Sequence, residues 1–461
     1  MRSALRGSAL LLAFAPFLLL AGAHADRSTE TRVEQVKVGI LEPTSGPDAS
    51  AGTDARNGAQ LAVDIINGRF PELALPLAGK SGLPGLGGAE LALVHADTKG
   101  DPRTGAREVQ RLVTDQGAVA LTGAYHSAVT RTASERAEQL RIPFVNGDSS
   151  STALTEGGLR YFFRTNPSDL TYGRTFFSLI EDRKAAGVPI SSVGILHINN
   201  QYGDDGATVT RQLARQHGLT IAADVGYDAD STDLVPYAQE VRAKKPDVLF
   251  VLSYTTDALL LQKAFTRLGY LPPAVLGYGG GFSDPEFVAG AARAADAQGF
   301  LRRTAWSAQL ADRNPTAKKV ARKFAATFGA PMSENSARTF TAVMTLAVAI
   351  DNARSTDPEK IRSALRTVTL SGRELIMEPW DHVRFDASGQ NTGARGVVEQ
   401  FIGGQWSVVY PDDLRSRRVI WPISTARDRR QAASTDTRSA SERVEVRVGG
   451  ELPAAPVPRE G

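Results

Sequence analysis

Cysteine is absent from this chain of 461 residues, so neither a disulfide framework nor a thiolate nucleophile or metal ligand is available to it. The same absence rules out a lipid anchor carried on a cysteine after an export signal. The six histidines, at 24, 95, 126, 197, 217 and 382, show no paired metal-ligand spacing. No Walker A loop and no Gly-x-Ser-x-Gly elbow occur. Gly277-Tyr278-Gly279-Gly280-Gly281-Phe282 begins like a dinucleotide fingerprint, but Phe282 stands where the last glycine is required. That stretch reads as a flexible turn. With no nucleophile, base or metal constellation, the chain is not expected to be an enzyme, and no cofactor or metal is implied.

Charge of one sign is also lacking. Residues 1–25 hold two basic side chains, and the tail from Ala426 holds seven arginines against six acidic residues. The body Asp26–Thr425 therefore has 44 basic and 44 acidic side chains. A neutral body without a basic stripe excludes nucleic acid as an expected partner. Long apolar runs are confined to the start: Arg2 and Arg6, then the apolar Ala9–Ala21, then Ala23-His24-Ala25 before Asp26. This is the layout of a cleaved secretory signal over residues 1–25, too short for the roughly 20 apolar residues that span a bilayer. The mature protein is expected to be free in the periplasm. The tail 426–461, rich in Ala, Ser, Arg and Pro, cannot bury enough surface to offset ordering and is expected to be disordered.

What the chain does have is one pattern twice. Val38-Gly39-Ile40-Leu41 opens the first copy and Val193-Gly194-Ile195-Leu196 the second. Apolar strand candidates follow at Leu91–Ala96, Ala118–Gly123 and Ile142–Val145, then at Ile221–Val225, Val248–Leu252 and Ala274–Leu276. Helical spacing fills the gaps at Ala55–Asn67, Arg103–Asp115 and Ser127–Leu140, and again at Asp205–His217, Asp233–Lys244 and Thr256–Leu268. The fold class predicted is α/β, with two similar parallel-sheet βαβ lobes, three crossover segments and a ligand cleft between them. Lobe 1 should combine residues 36–168 with 305–380, and lobe 2 residues 169–304 with 381–425. Val397–Ile402 and Trp406–Tyr410 read as a hairpin around Gly403-Gly404.

Hydroxyls gather where strands give way to helices. One strand ends in Ala124-Tyr125-His126-Ser127, and the next in Asn146-Gly147-Asp148-Ser149-Ser150-Ser151-Thr152. Free amides and the positive helix end favour a carboxylate there, with serine hydroxyls as further donors. Ser127 and Ser151 could instead serve only as helix caps. In the second copy Tyr202 and Tyr254 hold the corresponding strand ends, where a tyrosine can stack on a ligand, donate its hydroxyl or simply pack.

With these stretches in hand, the chain resembles the periplasmic solute-binding proteins of ABC transporters, in particular the branched-chain amino acid (Leu/Ile/Val) group with the type I periplasmic binding fold. The resemblance runs from about Lys37 to Pro411. It is carried by Val38–Asn67, GAYHSAVT (Gly123–Thr130), Ile142–Thr165, NNQYGDDG (Asn199–Gly206) and VRFDASGQNTG (Val383–Gly393). It implies hinge closure of two lobes over a small molecule, a membrane permease as partner, and a monomer. It implies that Ser127 and the loop Asp148, Ser149 and Ser150, beside Tyr125, hold a ligand α-carboxylate, opposite Tyr202 and Tyr254. Two departures stand out. Gly279 occupies the place of the acidic residue that meets the ligand ammonium, and Ala51 the place of a large aromatic in some relatives. Desolvating an unpaired ammonium is costly, so either Asp148 or Asp257 replaces that acid, or the ligand is a carboxylate or amide without an ammonium. A ligand sensor of the same fold is the alternative to a transport receptor.

Overall fold

The computed structural model describes residues 33–293 and 297–423. The expected signal segment and the tail lie outside the described residues. Among those described, no helix is long and apolar enough to cross a membrane.

Five strands form the first sheet: β1 (Gln35–Glu42), β2 (Glu90–Asp97), β3 (Ala120–Gly123), β4 (Phe144–Asn146) and β5 (Phe162–Arg164). They lie in the order β2-β1-β3-β4-β5 and every pairing is parallel. β3, β4 and β5 are buried along their whole length, because helices cover both faces, as a parallel sheet requires. Helix Ala49–Asn67 lies against helix Glu334–Ala353, where Gly58 permits the approach: a Cβ there would stand 2.1 Å from the Ser336 carbonyl oxygen. Val38, Ile40, Ile65, Val343 and Ile350 fill that side. Leu41, Leu112, Leu121, Val129 and Phe144 fill the other.

The second sheet contains β6 (Ser192–Ile198), β7 (Thr220–Tyr227), β8 (Val248–Leu252), β9 (Val275–Gly277) and β10 (Leu301–Thr304). After a small antiparallel pair, β11 (Leu370–Ser371) with β12 (His382–Val383), it is completed by β13 (Val397–Ile402) and β14 (Gln405–Tyr410). The order is β14-β13-β10-β9-β8-β6-β7. β7 to β10 pair parallel, and the hairpin β13–β14 adds antiparallel at the edge. Gly403 and Gly404, at φ 63° and 83°, make its turn. Phe176, Phe177, Ile195, Phe250, Leu276 and Phe401 form its core.

Both predicted repeats are present, and the predicted two-lobed α/β class is the observed one. The chain passes between lobes after β5, after β10 and before β13. The stretch Asp381–Ala394, expected with the second lobe, instead sends Val383, Phe385 and Ala394 into the first lobe's core, because β12 pairs with β11 there. The first helix begins at Ala49, six residues ahead of the expected Ala55, since Ala49–Asp54 continue the turn in small residues.

Candidate ligand-binding site

β3 and β4 end side by side, and the turns that follow them build one wall of the cleft. Asn146, last in β4, donates from Nδ2 to the carbonyls of Gly123 (2.6 Å) and Ala124 (3.1 Å). Its Oδ1 accepts from the Ser149 amide at 3.1 Å. Ser149 ties the turns again, donating to the Ala124 carbonyl at 2.9 Å and meeting the Thr130 hydroxyl at 2.7 Å. Its hydroxyl is thus consumed inside the lobe. Ser127 is different. It is the first residue of helix Ser127–Leu140, whose cap position is His126, so Ser127 is not the cap. Its side chain is buried and lines the cavity, beside amides that have no partner within the helix.

The facing wall comes from the second lobe and is aromatic. Tyr202 sits in the first turn of helix Gln201–Gln216, and its hydroxyl donates to the Tyr278 carbonyl at 3.3 Å. Tyr254 precedes helix Thr255–Leu268. Its ring lies 5.2 Å from that of Tyr202 and reaches across the cleft to Tyr125 (5.7 Å) and His126 (4.7 Å). His126 in turn meets Asp48 at 2.9 Å. Ser50 donates across to Asp284 at 3.1 Å, and Ser151 to Asp205. The lobes are closed on each other, and the space left is about 20 Å³. That is room for about one water, so a ligand must separate the lobes or move these side chains to enter.

The lining residues are Tyr125, Ser127, Asp148, Ser149, Ser150, Tyr202, Tyr254, Gly280, Arg303 and Arg338. Seven of the nine residues expected at the site are among them. Asp257 is not: its Oδ2 accepts from the Tyr254 amide (3.4 Å) and the Tyr227 hydroxyl (3.3 Å), the work of a helix-capping carboxylate. Burial raises its pKa to about 6. Gly279, at φ 80°, stands just behind Gly280, against Arg303. Ala51 is buried in helix Ala49–Asn67 and is not part of the lining.

Beneath the cavity lies a buried charge network that the sequence reading did not anticipate. Glu334 faces Arg303 (3.8 Å) and Arg338 (3.7 Å), and accepts hydrogen bonds from Ser283 and from the Ala305 amide. Burial would push its pKa up, but the two guanidinium groups and these donors hold it below the ordinary value. Asp148 accepts from the Thr339 hydroxyl at 3.2 Å and lies 3.9 Å from Arg338. Burial, with Asp148 beside it, holds Glu42 well above the usual carboxylate range. Asp169, also raised by burial, lies 3.9 Å from Arg303. The signal for this network was two arginines inside Leu301–Thr304 and one within the apolar helix Arg338–Leu346. Charges on otherwise buried elements need partners.

Two α/β lobes closed over a donor-rich, aromatic-faced cleft define a two-lobed binding protein. The family model described as periplasmic binding protein matches residues 35–400, and the chain belongs to that family. The Leu/Ile/Val-binding protein homolog 8 of Brucella abortus (strain 2308) is 27% identical over 390 residues, covering 82% of this chain and 91% of that protein. Among solved structures, the branched-chain amino acid transporter substrate-binding protein LivJ of Streptococcus pneumoniae, in complex with isoleucine, superposes with a TM-score of 0.68 at 23% identity, covering 82% of this chain and all of that one. An ABC transporter solute-binding protein of R. palustris, in complex with benzoate, gives a TM-score of 0.68 at 17% identity, covering 85% and 98%. The resemblance seen in the sequence is therefore a shared family and fold.

Proposed function

We propose that this chain is the extracytoplasmic receptor of an ABC importer, capturing a small carboxylate-bearing molecule by closure of its two lobes and presenting it to a membrane permease. The observation that carries this reading is the pair of turns Tyr125–Ser127 and Asp148–Ser150. They place a non-capping serine hydroxyl and helix amides opposite Tyr202 and Tyr254 of the other lobe, and helix amides with a hydroxyl beside them suit an anion. The ligands in the related structures, isoleucine and benzoate, share a carboxylate and little else. No step of bond making is required, since contacts from both lobes exist only when closed and binding itself drives closure. The expected location is the periplasm, following removal of residues 1–25.

The test is a thermal-shift screen of amino acids and small carboxylates, followed by small-angle scattering with any ligand that raises the melting temperature. Stabilisation by a carboxylate together with a fall in radius of gyration is expected. Stabilisation only by ligands lacking a carboxylate, or binding without compaction, would contradict the reading.

A further inference from the structure

Gly279 and Arg303 are coupled by their closeness. Arg303 lies on β10 beneath Gly279, and a Cβ at Gly279 would stand 2.6 Å from its Cζ and 2.7 Å from Nη1. No side chain fits at 279 while that guanidinium holds its place. That corner of the site is filled by a guanidinium.

That cation is incompletely used. Arg303 is 1% exposed, and its one hydrogen bond runs from Nη2 to Ser150 Oγ of the facing lobe, at 3.1 Å. Nε and Nη1 have no hydrogen-bond partner. Asp169 and Glu334, at 3.9 and 3.8 Å, balance its charge from beyond hydrogen-bonding range, and the ring of Tyr172 stacks on it at 3.8 Å. The Tyr125 hydroxyl, also buried in the cavity, is likewise without a partner. Unsatisfied buried donors are rare in folded proteins, and both residues that carry these, Arg303 and Tyr125, are among those lining the cavity with Ser127. By contrast, the one carboxylate in the lining, Asp148, is occupied by Thr339 and faces Arg338. The cavity therefore offers donors at both ends and no uncommitted carboxylate for an ammonium.

Resting on the carboxylate reading above, we infer that the ligand is a short dicarboxylate. One carboxylate sits on Ser127 and the neighbouring helix amides, the other on the Arg303 guanidinium with the Tyr125 hydroxyl. A guanidinium edge matches a carboxylate bidentately, whereas the ammonium of an amino acid would face Arg303 as a like charge. Ser127 and Arg303 line one small cavity walled by Tyr125, Tyr202 and Tyr254, which calls for a short carbon chain between the two anionic ends once the lobes part to admit it.

Titration calorimetry at neutral pH with succinate, glutarate and adipate, each against the monocarboxylate of equal length (butyrate, valerate, hexanoate), and with leucine, decides this. At least one dicarboxylate should bind about tenfold or more tighter than its monocarboxylate, the scale of one charge-assisted pair. In Arg303→Gln that ratio should fall to within roughly threefold. Because Arg303 backs onto Asp169 and Glu334, Arg303→Lys serves where the glutamine variant does not fold; it keeps the charge, loses the fork and should also lose most of the ratio. Equal binding of the two acid series to wild type, tighter binding of leucine, or a ratio that survives in the folded variant would each overturn the dicarboxylate inference while leaving carboxylate capture standing. Failure of every carboxylate and of leucine to bind would instead overturn the proposed function itself.

Discussion

The two walls of the cleft are built from different material. The first lobe's wall is a set of turns whose polar groups are mostly spent on one another: Asn146 and Ser149 lock the two strand ends, and the Ser127 and Tyr125 hydroxyls are left over. The second lobe's wall is rings and a guanidinium, with few hydrogen bonds of its own, its charge balanced by Asp169 and by Glu334 from the first lobe's helix. The difference teaches where specificity resides. A wall held by internal hydrogen bonds is pre-formed and recognises what all its ligands share, a carboxylate. A wall whose donors are left open recognises what distinguishes one ligand from another.

The contrast can be broken most severely at Glu334, the carboxylate between Arg303 and Arg338. Glu334→Gln leaves two buried guanidinium groups without their shared anion, and breaking a buried pair in this way typically costs about 3–5 kcal/mol. Urea unfolding should show a loss of that size; a loss within the ordinary scatter of surface substitutions would mean that Arg303 is held by something else. Next comes Ser127→Ala, expected to weaken binding of a carboxylate ligand by about 1–3 kcal/mol in calorimetry while the melting temperature barely moves. Unchanged affinity with a sharply lower melting temperature would make Ser127 a structural residue of its helix.

Ser50→Ala is a smaller lever. It removes one neutral-to-carboxylate contact between the lobes, Ser50 to Asp284, and should shift ligand affinity by about 0.5–1.5 kcal/mol through the closure equilibrium alone. An equal change in affinity for every ligand checks this, since Ser50 is not among the residues lining the cavity. Asp257→Asn should leave ligand affinity as it is, because Asp257 caps a helix outside the cavity. Its effect belongs to stability against pH. With its pKa raised by burial from 3.8 to about 6, the folded state holds a proton that the unfolded chain releases earlier. The stability this contributes is complete below pH 3.8 and is lost as the pH rises through about 6. Melting temperatures across that window should fall less steeply in the asparagine variant; an unaltered slope would mean that Asp257 is not the group titrating.

The sequence showed the sheets more clearly than the charges. Strands such as Val248–Leu252 are continuous apolar runs because both faces are covered, and helices such as Ser127–Leu140 keep a helical period, so both repeats were legible. The serine turns were legible too, since a strand-to-helix junction has a position in the sequence as well as in space. β5 and β10 were not: at three and four residues, one carrying Arg164 and the other Arg302 and Arg303, they lack the apolar run that marks a strand. The charge network was hidden for a further reason. Apart from Glu334 and Arg338, one helical turn from each other, Glu42, Asp148, Asp169 and Arg303 come from distant parts of the chain, and only the third dimension shows their partners. Gly279 was visible as a departure, but not its cause, because Arg303 lies 24 positions further along the chain.

The central claim is that one ligand bridges these unlike walls, and a crystal structure of the protein with a carboxylate ligand that stabilises it tests that claim most directly. The account predicts density in the cleft with a carboxylate within hydrogen-bonding distance of the Ser127 hydroxyl, the rest of the ligand between Tyr125, Tyr202 and Tyr254, and its far end toward Arg303. A ligand bound elsewhere, or one touching only a single lobe, would contradict it.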